Sequence, residues 1–138
     1  MGEERAISEV RDTDLESAWR LWLSTGWNEK YGVDFDEFSR SWQASFVTRC
    51  VQENEDVIAI ARSVSDGVMY AMIHDVVVHP DYRGQGLGAQ LIRSLTDDLQ
   101  ARGIRCIQLM AAENQGPFYE RLGFRAREHA KPGMEFGN

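Results

Sequence analysis

Only two cysteines occur in the chain, Cys50 and Cys106. They lie in apparent strands without metal-ligand spacing, so they are expected to be buried thiols in a reducing compartment, and no metal is expected. Basic residues are also scarce: 15 Lys and Arg stand against 22 Asp and Glu, for a net charge of −7. Nucleic-acid binding needs a basic face, so the charge argues against that class of partner and none is expected. An anionic cofactor would have to be held by local donors, whereas the overall field would attract a cationic substrate. No apolar run is long enough to cross a membrane. The segment from Met1 to Ala6 has no apolar signal region, and Ala6 stands where a myristoylation signal needs Ser or Thr. The cytoplasm is the expected location, with no membrane partner. Repeats, linkers and low-complexity segments are missing.

What remains is ordinary for a globular protein: 43% hydrophobic and 27% charged residues over 138 positions. One domain spanning residues 1–138 is expected. Residues 6–10 alternate and read as a strand. Thr13-x-x-Glu16 reads as a capping box for a helix with Leu15, Ala18, Trp19, Trp22 and Leu23 on one face. Asp34-x-x-Glu37 reads the same way for a second helix burying Phe35, Phe38 and Trp42. Between them, residues 27–33 form a loop whose Trp27 and Tyr31 fall outside helical spacing, which makes them candidates for a substrate pocket. Strands are expected over 46–53, 57–64 and 68–78, then a helix burying Leu87, Leu91, Ile92, Leu95 and Leu99. Residues 104–111 give a strand parallel to the 68–78 strand, because a helix intervenes. A short helix over 117–122 and a final hairpin from 124–127 and 134–136 close the chain. The expected class is α+β, with a single mixed β-sheet of about seven strands flanked by helices.

The chain turns on Arg83-Gly84-Gln85-Gly86-Leu87-Gly88, between the apolar Val76-Val77-Val78 and the long helix. Glycines at a strand-to-helix turn let a ligand approach the backbone. The first helical turn offers unpartnered N–H groups and partial positive charge, a ready site for phosphate. A P-loop is excluded because no Gly-Lys-Ser/Thr follows. Gly84-x-Gly86-x-x-Ala89 fits a dinucleotide fingerprint loosely, but a polar loop separates it from the strand and about fifty residues remain afterwards, too few for a doubly wound sheet.

The third reading is Arg-x-x-Gly-x-Gly, which resembles the pyrophosphate loop of the GNAT superfamily of acetyl-CoA-dependent N-acetyltransferases. Residues 75–88, from Asp75-Val76-Val77-Val78-His79-Pro80 through the glycines, resemble the family's central motif. Phe118-Tyr119-Glu120-Arg121-Leu122-Gly123-Phe124 is similar to its second signature. The resemblance implies the GNAT-type fold, with splayed central parallel strands. It implies acetyl-CoA as cosubstrate, with the backbone of Arg83, Gly84, Gln85, Gly86, Leu87 and Gly88 on the pyrophosphate. The strand through Val76, Val77 and Val78 would pair with the pantetheine arm, and the Asn114 side chain would bond it. Tyr119 matches the family's general acid. A homodimer is compatible with the family.

Acetyl transfer to an amine needs the neutral amine, which a reference pKa of about 10.4 makes scarce at pH 7. A base must therefore take a proton, and the departing thiolate can take one back from an acid. Where many members carry a Glu for the first task, this chain offers His74 and Asp75. His74 also resembles a strand histidine of arylalkylamine-type acetyltransferases, and histidine titrates near neutrality. Strand alternation predicts opposite faces for the two. The expected function is acetyl transfer to a primary amine, small and cationic or aromatic. A protein lysine or N-terminus as acceptor, or a non-catalytic module that senses acetyl-CoA, are the alternatives.

Overall fold

The computed structural model, which describes residues 5–127 and 133–137, builds one mixed sheet from five strands in the order β1-β2-β3-β4-β5. The elements run β1 (Ile7–Ser8), α1 (Leu15–Leu23), α2 (Asn28–Tyr31), α3 (Phe35–Gln43), β2 (Val47–Glu53), β3 (Asp56–Ser65), β4 (Tyr70–Val78), α4 (Leu87–Ala101), β5 (Cys106–Leu109) and α5 (Gly116–Glu120). Neighbours are antiparallel except β4 and β5, which are parallel across the α4 crossover, as expected.

The expected count of about seven strands is not met. Residues 124–127 and 133–137 contain no strand, and 128–132 lie outside the described residues. The alternating runs there are three and four residues long, at the lower limit of what a ladder holds. Among the described residues β5 is therefore an edge strand rather than a central one.

Helix starts follow their strongest local acceptor. Asp34 and Glu37 make the expected reciprocal box: the Glu37 N–H donates to Asp34 Oδ1 at 2.8 Å and the Asp34 N–H to Glu37 Oε1 at 3.0 Å. The Thr13–Glu16 box does not form. Asp14 instead accepts the Arg11 N–H at 2.8 Å and pairs with the Arg11 guanidinium at 3.2 Å, because a charged acceptor outcompetes a threonine hydroxyl. A short 3-10 turn, Asp12–Asp14, precedes α1 as a result.

Two hydrophobic layers position the sheet. On one face α4 buries the whole predicted stripe of Leu87, Leu91, Ile92, Leu95 and Leu99. On the other, α1 and α3 pack Trp22, Phe38 and Trp42 over Cys50, Ile60 and Val77. Leu23 and Phe35, expected in that layer, are 39% and 42% exposed. Leu21 fills the α1 position instead, because it completes the i, i+3, i+4 spacing from Leu15 and Ala18. Both cysteines are free, and burial pushes the Cys50 thiol up.

Candidate active site

The glycine stretch folds as a cradle open to solvent. Gly84 and Gly86 have φ of +78° and +81°, a region that costs other residues a Cβ clash. Among the described residues no backbone N–H from Gly84 to Ala89 finds a protein acceptor; the first helical bond is Gln90 N–H to Gly86 O at 3.0 Å. The helices α1, α2 and α3 each carry a carboxylate in the first turn, whereas α4 carries none and has no side-chain cap. Its dipole and orphan donors are thus left for an external anion. The Arg83 guanidinium donates to the Val78 carbonyl at 3.3 Å, bracing the strand end. A Cβ at Gly88 would lie 3.5 Å from the Phe118 ring and 3.8 Å from Val78, ordinary contact distances, so α5 lies close across the start of α4.

Beside the cradle, β4 has a free edge. Its pairing with β5 runs from Tyr70↔Cys106 to Ile73↔Leu109 and stops. Among the described residues, the backbone from His74 to Val78 has no strand partner on that side, so it is open to an extended ligand. Val76 and Val78 pack toward the α4 layer, while Val77 faces α1 and α3.

Where the pairing stops, β4 bulges. Between Arg62↔His74 and Ile60↔Val77 the chain advances two residues on β3 and three on β4. The extra residue, Asp75, sits at φ +56°. The expected opposite faces for His74 and Asp75 are therefore not found. His74 is in register with Arg62, and Asp75 Oδ2 accepts from Arg62 Nε at 2.7 Å while Oδ1 accepts from Trp22 Nε1 at 3.0 Å. Both residues lie on the α1 and α3 side. His74 is exposed at the surface, yet partial desolvation first, then the Arg62 charge, push its imidazole below the ordinary value, with Asp75 opposing. The downward shift favours the uncharged ring, the form that can accept a proton. His79 plays a local part, its Nδ1 accepting the Asp81 N–H at 3.1 Å.

Tyr119 on α5 is half-buried, with its ring edge-on to Phe118 at 4.9 Å and to Phe124 at 5.9 Å. Burial pushes its hydroxyl above the ordinary tyrosine value, so it stays protonated. Asn114 is exposed in the turn after β5 at φ +66°. Trp27 and Tyr31, expected in a loop, are the N-cap and the last residue of the short helix α2, and are 43% and 61% exposed. Neither lines a described hollow. A hollow of about 400 Å³ by Glu9, Asp12 and Trp42 lies at the far end of β2 from the glycine cradle and contains none of these residues. A smaller one, about 270 Å³, is lined by Val64, Tyr70, Met72 and Gln108. Tyr70 and Met72 share the His74 face by alternation.

Two arginines escaped the sequence reading. Arg5 Nη1 donates to Gln85 Oε1 at 2.7 Å, its Nε to Glu53 at 2.7 Å, and its guanidinium lies 5.3 Å from the Tyr82 ring centre. It braces the glycine loop from 80 residues away, a pairing without local signal. Arg62 did leave one: a guanidinium in the middle of the apolar strand Val57-Ile58-Ala59-Ile60-Ala61 and Val64 needs buried partners.

Known proteins resemble this chain in sequence and fold. Residues 13–124 match the sequence model of the acetyltransferase (GNAT) family. The chain is 40% identical over 79 residues to serotonin N-acetyltransferase 2, chloroplastic, of Oryza sativa, covering 57% of this chain and 40% of that one. It is 43% identical over 82 residues to histone acetyltransferase TAP1 of Glycine max, covering 59% and 36%. The chain thus spans less than half the length of either relative. Among solved structures, an acetyltransferase of Trypanosoma brucei superposes with a TM-score of 0.76 at 28% identity, over 98% of this chain and 100% of that one.

Proposed function

The chain belongs to the acetyltransferase (GNAT) family, and on that premise we propose that it transfers an acetyl group from acetyl-CoA to a primary amine by direct attack. The observation that carries this reading is the start of α4, where unpartnered N–H groups from Gly84 to Ala89 meet a helix end without a carboxylate of its own. Acetyl-CoA supplies the acetyl group as an activated thioester. The cradle would hold its pyrophosphate, with Arg83 adding positive charge and the Glu53-paired Arg5 bracing Gln85 of the loop, in a protein of net charge −7. The free edge through Val76, Val77 and Val78, with Asn114 beyond it, would take the pantetheine amides. His74 would accept the amine's proton, and Tyr119 would give one to the departing thiolate. Cys50 is fully buried and its thiol is pushed up, which removes it as a nucleophile.

The acceptor is a small amine with an apolar or aromatic body. The hollow over Val64, Met72 and Gln108 continues the His74 face and has an apolar floor. The exposed rings of Trp27 and Tyr31 offer further apolar surface. Relatives named for serotonin and for histone are equally similar to this chain, so the hollow, not the likeness, favours the small amine over a protein lysine. Thiol release from acetyl-CoA should be fastest with cationic arylalkylamines and slowest with amino acids that carry a free carboxylate. At subsaturating amine it should fall as salt rises, because screening shortens the reach of the field. Faster turnover of acidic amines would contradict this choice of acceptor.

A further inference from the structure

We propose that Asp75 is a positioning residue: with Trp22 and Arg62 it fixes the bulge of β4 that sets His74 at the point where β4 and β5 part. The inference rests on the acetyl-transfer reading above and goes beyond it. Asp75 is the extra residue of the bulge and sits at φ +56°, a left-handed conformation uncommon for non-glycine residues and, within a strand, a mark of local constraint. The holders come from two other elements. Trp22 of α1 donates to Oδ1 at 3.0 Å, and Arg62 of β3 donates to Oδ2 at 2.7 Å. Arg62 is itself fixed, donating to the Ser41 carbonyl at 3.3 Å and to Ser45 Oγ at 3.2 Å, with its guanidinium 5.7 Å from the Trp42 ring centre. The bulge is thereby tied to α1, α3 and β3 at once.

The position gives the tie a consequence for the reaction. His74 precedes Asp75 and is in register with Arg62, and the last β4–β5 pair is Ile73↔Leu109. A slip of the bulge by one residue would turn His74 to the other face. Both Asp75 oxygens already accept from protein donors, Trp22 and Arg62, so Asp75 serves as the anchor and His74 as the acceptor. The charged groups acting on His74 are Arg62 on β3 and Asp75 on its own strand.

Asp75→Asn keeps the shape and tolerates positive φ, but loses the charge. Asp75→Gly adopts the bulge freely but has no side chain to tie. For both, the acetyl-CoA Kd should stay within about twofold and kcat should fall about 10- to 100-fold, the scale of a misplaced group. In Asp75→Asn the acid limb of kcat against pH should persist and move to lower pH, because the Arg62 charge beside His74 is no longer balanced. Loss of the acid limb with a larger fall in kcat would make Asp75 the base itself and overturn the proposal. So would wild-type kcat in either variant, whatever the change in Tm. A wild-type protein that binds acetyl-CoA but acetylates no amine would sink the reading underneath, a result visible before any variant is made.

Discussion

Gly86→Val should abolish acetyl-CoA binding while leaving the protein folded. Gly86 is the N-cap of α4 at φ +81°. A β-branched residue is strongly disfavoured there, so the loop must leave the left-handed region and the N–H groups around it lose their common direction. The interior has no part in this. A Cβ at Gly86 would meet only the Gln90 side chain, at 3.9 Å, and the residue is exposed. Calorimetry should show the Kd raised at least about 100-fold, the loss expected when several charge-assisted hydrogen bonds go together. The rise in Tm that acetyl-CoA gives the wild type should vanish with it. Circular dichroism should be unchanged. A folded Gly86→Val protein with undiminished affinity would remove the cradle from the site.

The second large effect belongs to His74. Replacing it with Gln should lower kcat by about 10²–10⁴-fold, the usual contribution of a positioned base, with acetyl-CoA affinity unchanged. The wild-type pH profile carries the sign. Partial desolvation and Arg62 hold the imidazole below its ordinary value of about 6.5. The neutral ring is the active form, so kcat should rise with pH, reach half its maximum below pH 6.5 and stay flat through neutrality. That acid limb should disappear in His74→Gln; a retained limb and a retained kcat would place the base elsewhere. Tyr119→Phe should cost less, about tenfold, because a thiol with a pKa near 8.5 leaves with little help. The wild-type rate should fall only above about pH 10, since burial raises the Tyr119 hydroxyl, and that fall should be missing in the phenylalanine variant.

What could be read from the sequence was what is local or periodic. The α4 stripe repeats every three to four residues and all five of its predicted residues are buried. The glycine cradle is encoded within six consecutive positions. Asp34 and Glu37 announce their own helix. The bulge is different: His74-Asp75-Val76-Val77-Val78 reads as plain strand, and one extra residue without a glycine leaves no mark in the pattern. That single residue overturned the expected faces of His74 and Asp75. Pairings between Arg5 and Gln85, or Trp22 and Asp75, join residues 80 and 53 positions apart and depend on the fold being already in place. The expected hairpin rested on runs too short to distinguish a strand from an extended loop.

The most direct test of acetyl transfer to an amine is a rapid-quench experiment with acetyl-labelled acetyl-CoA and an arylalkylamine, following the label on the amine and on the protein. The label should appear on the amine nitrogen at the rate at which free CoA appears, with none passing through the protein. Label accumulating first on the protein, or acetyl-CoA bound tightly with no label reaching any amine, would contradict direct transfer.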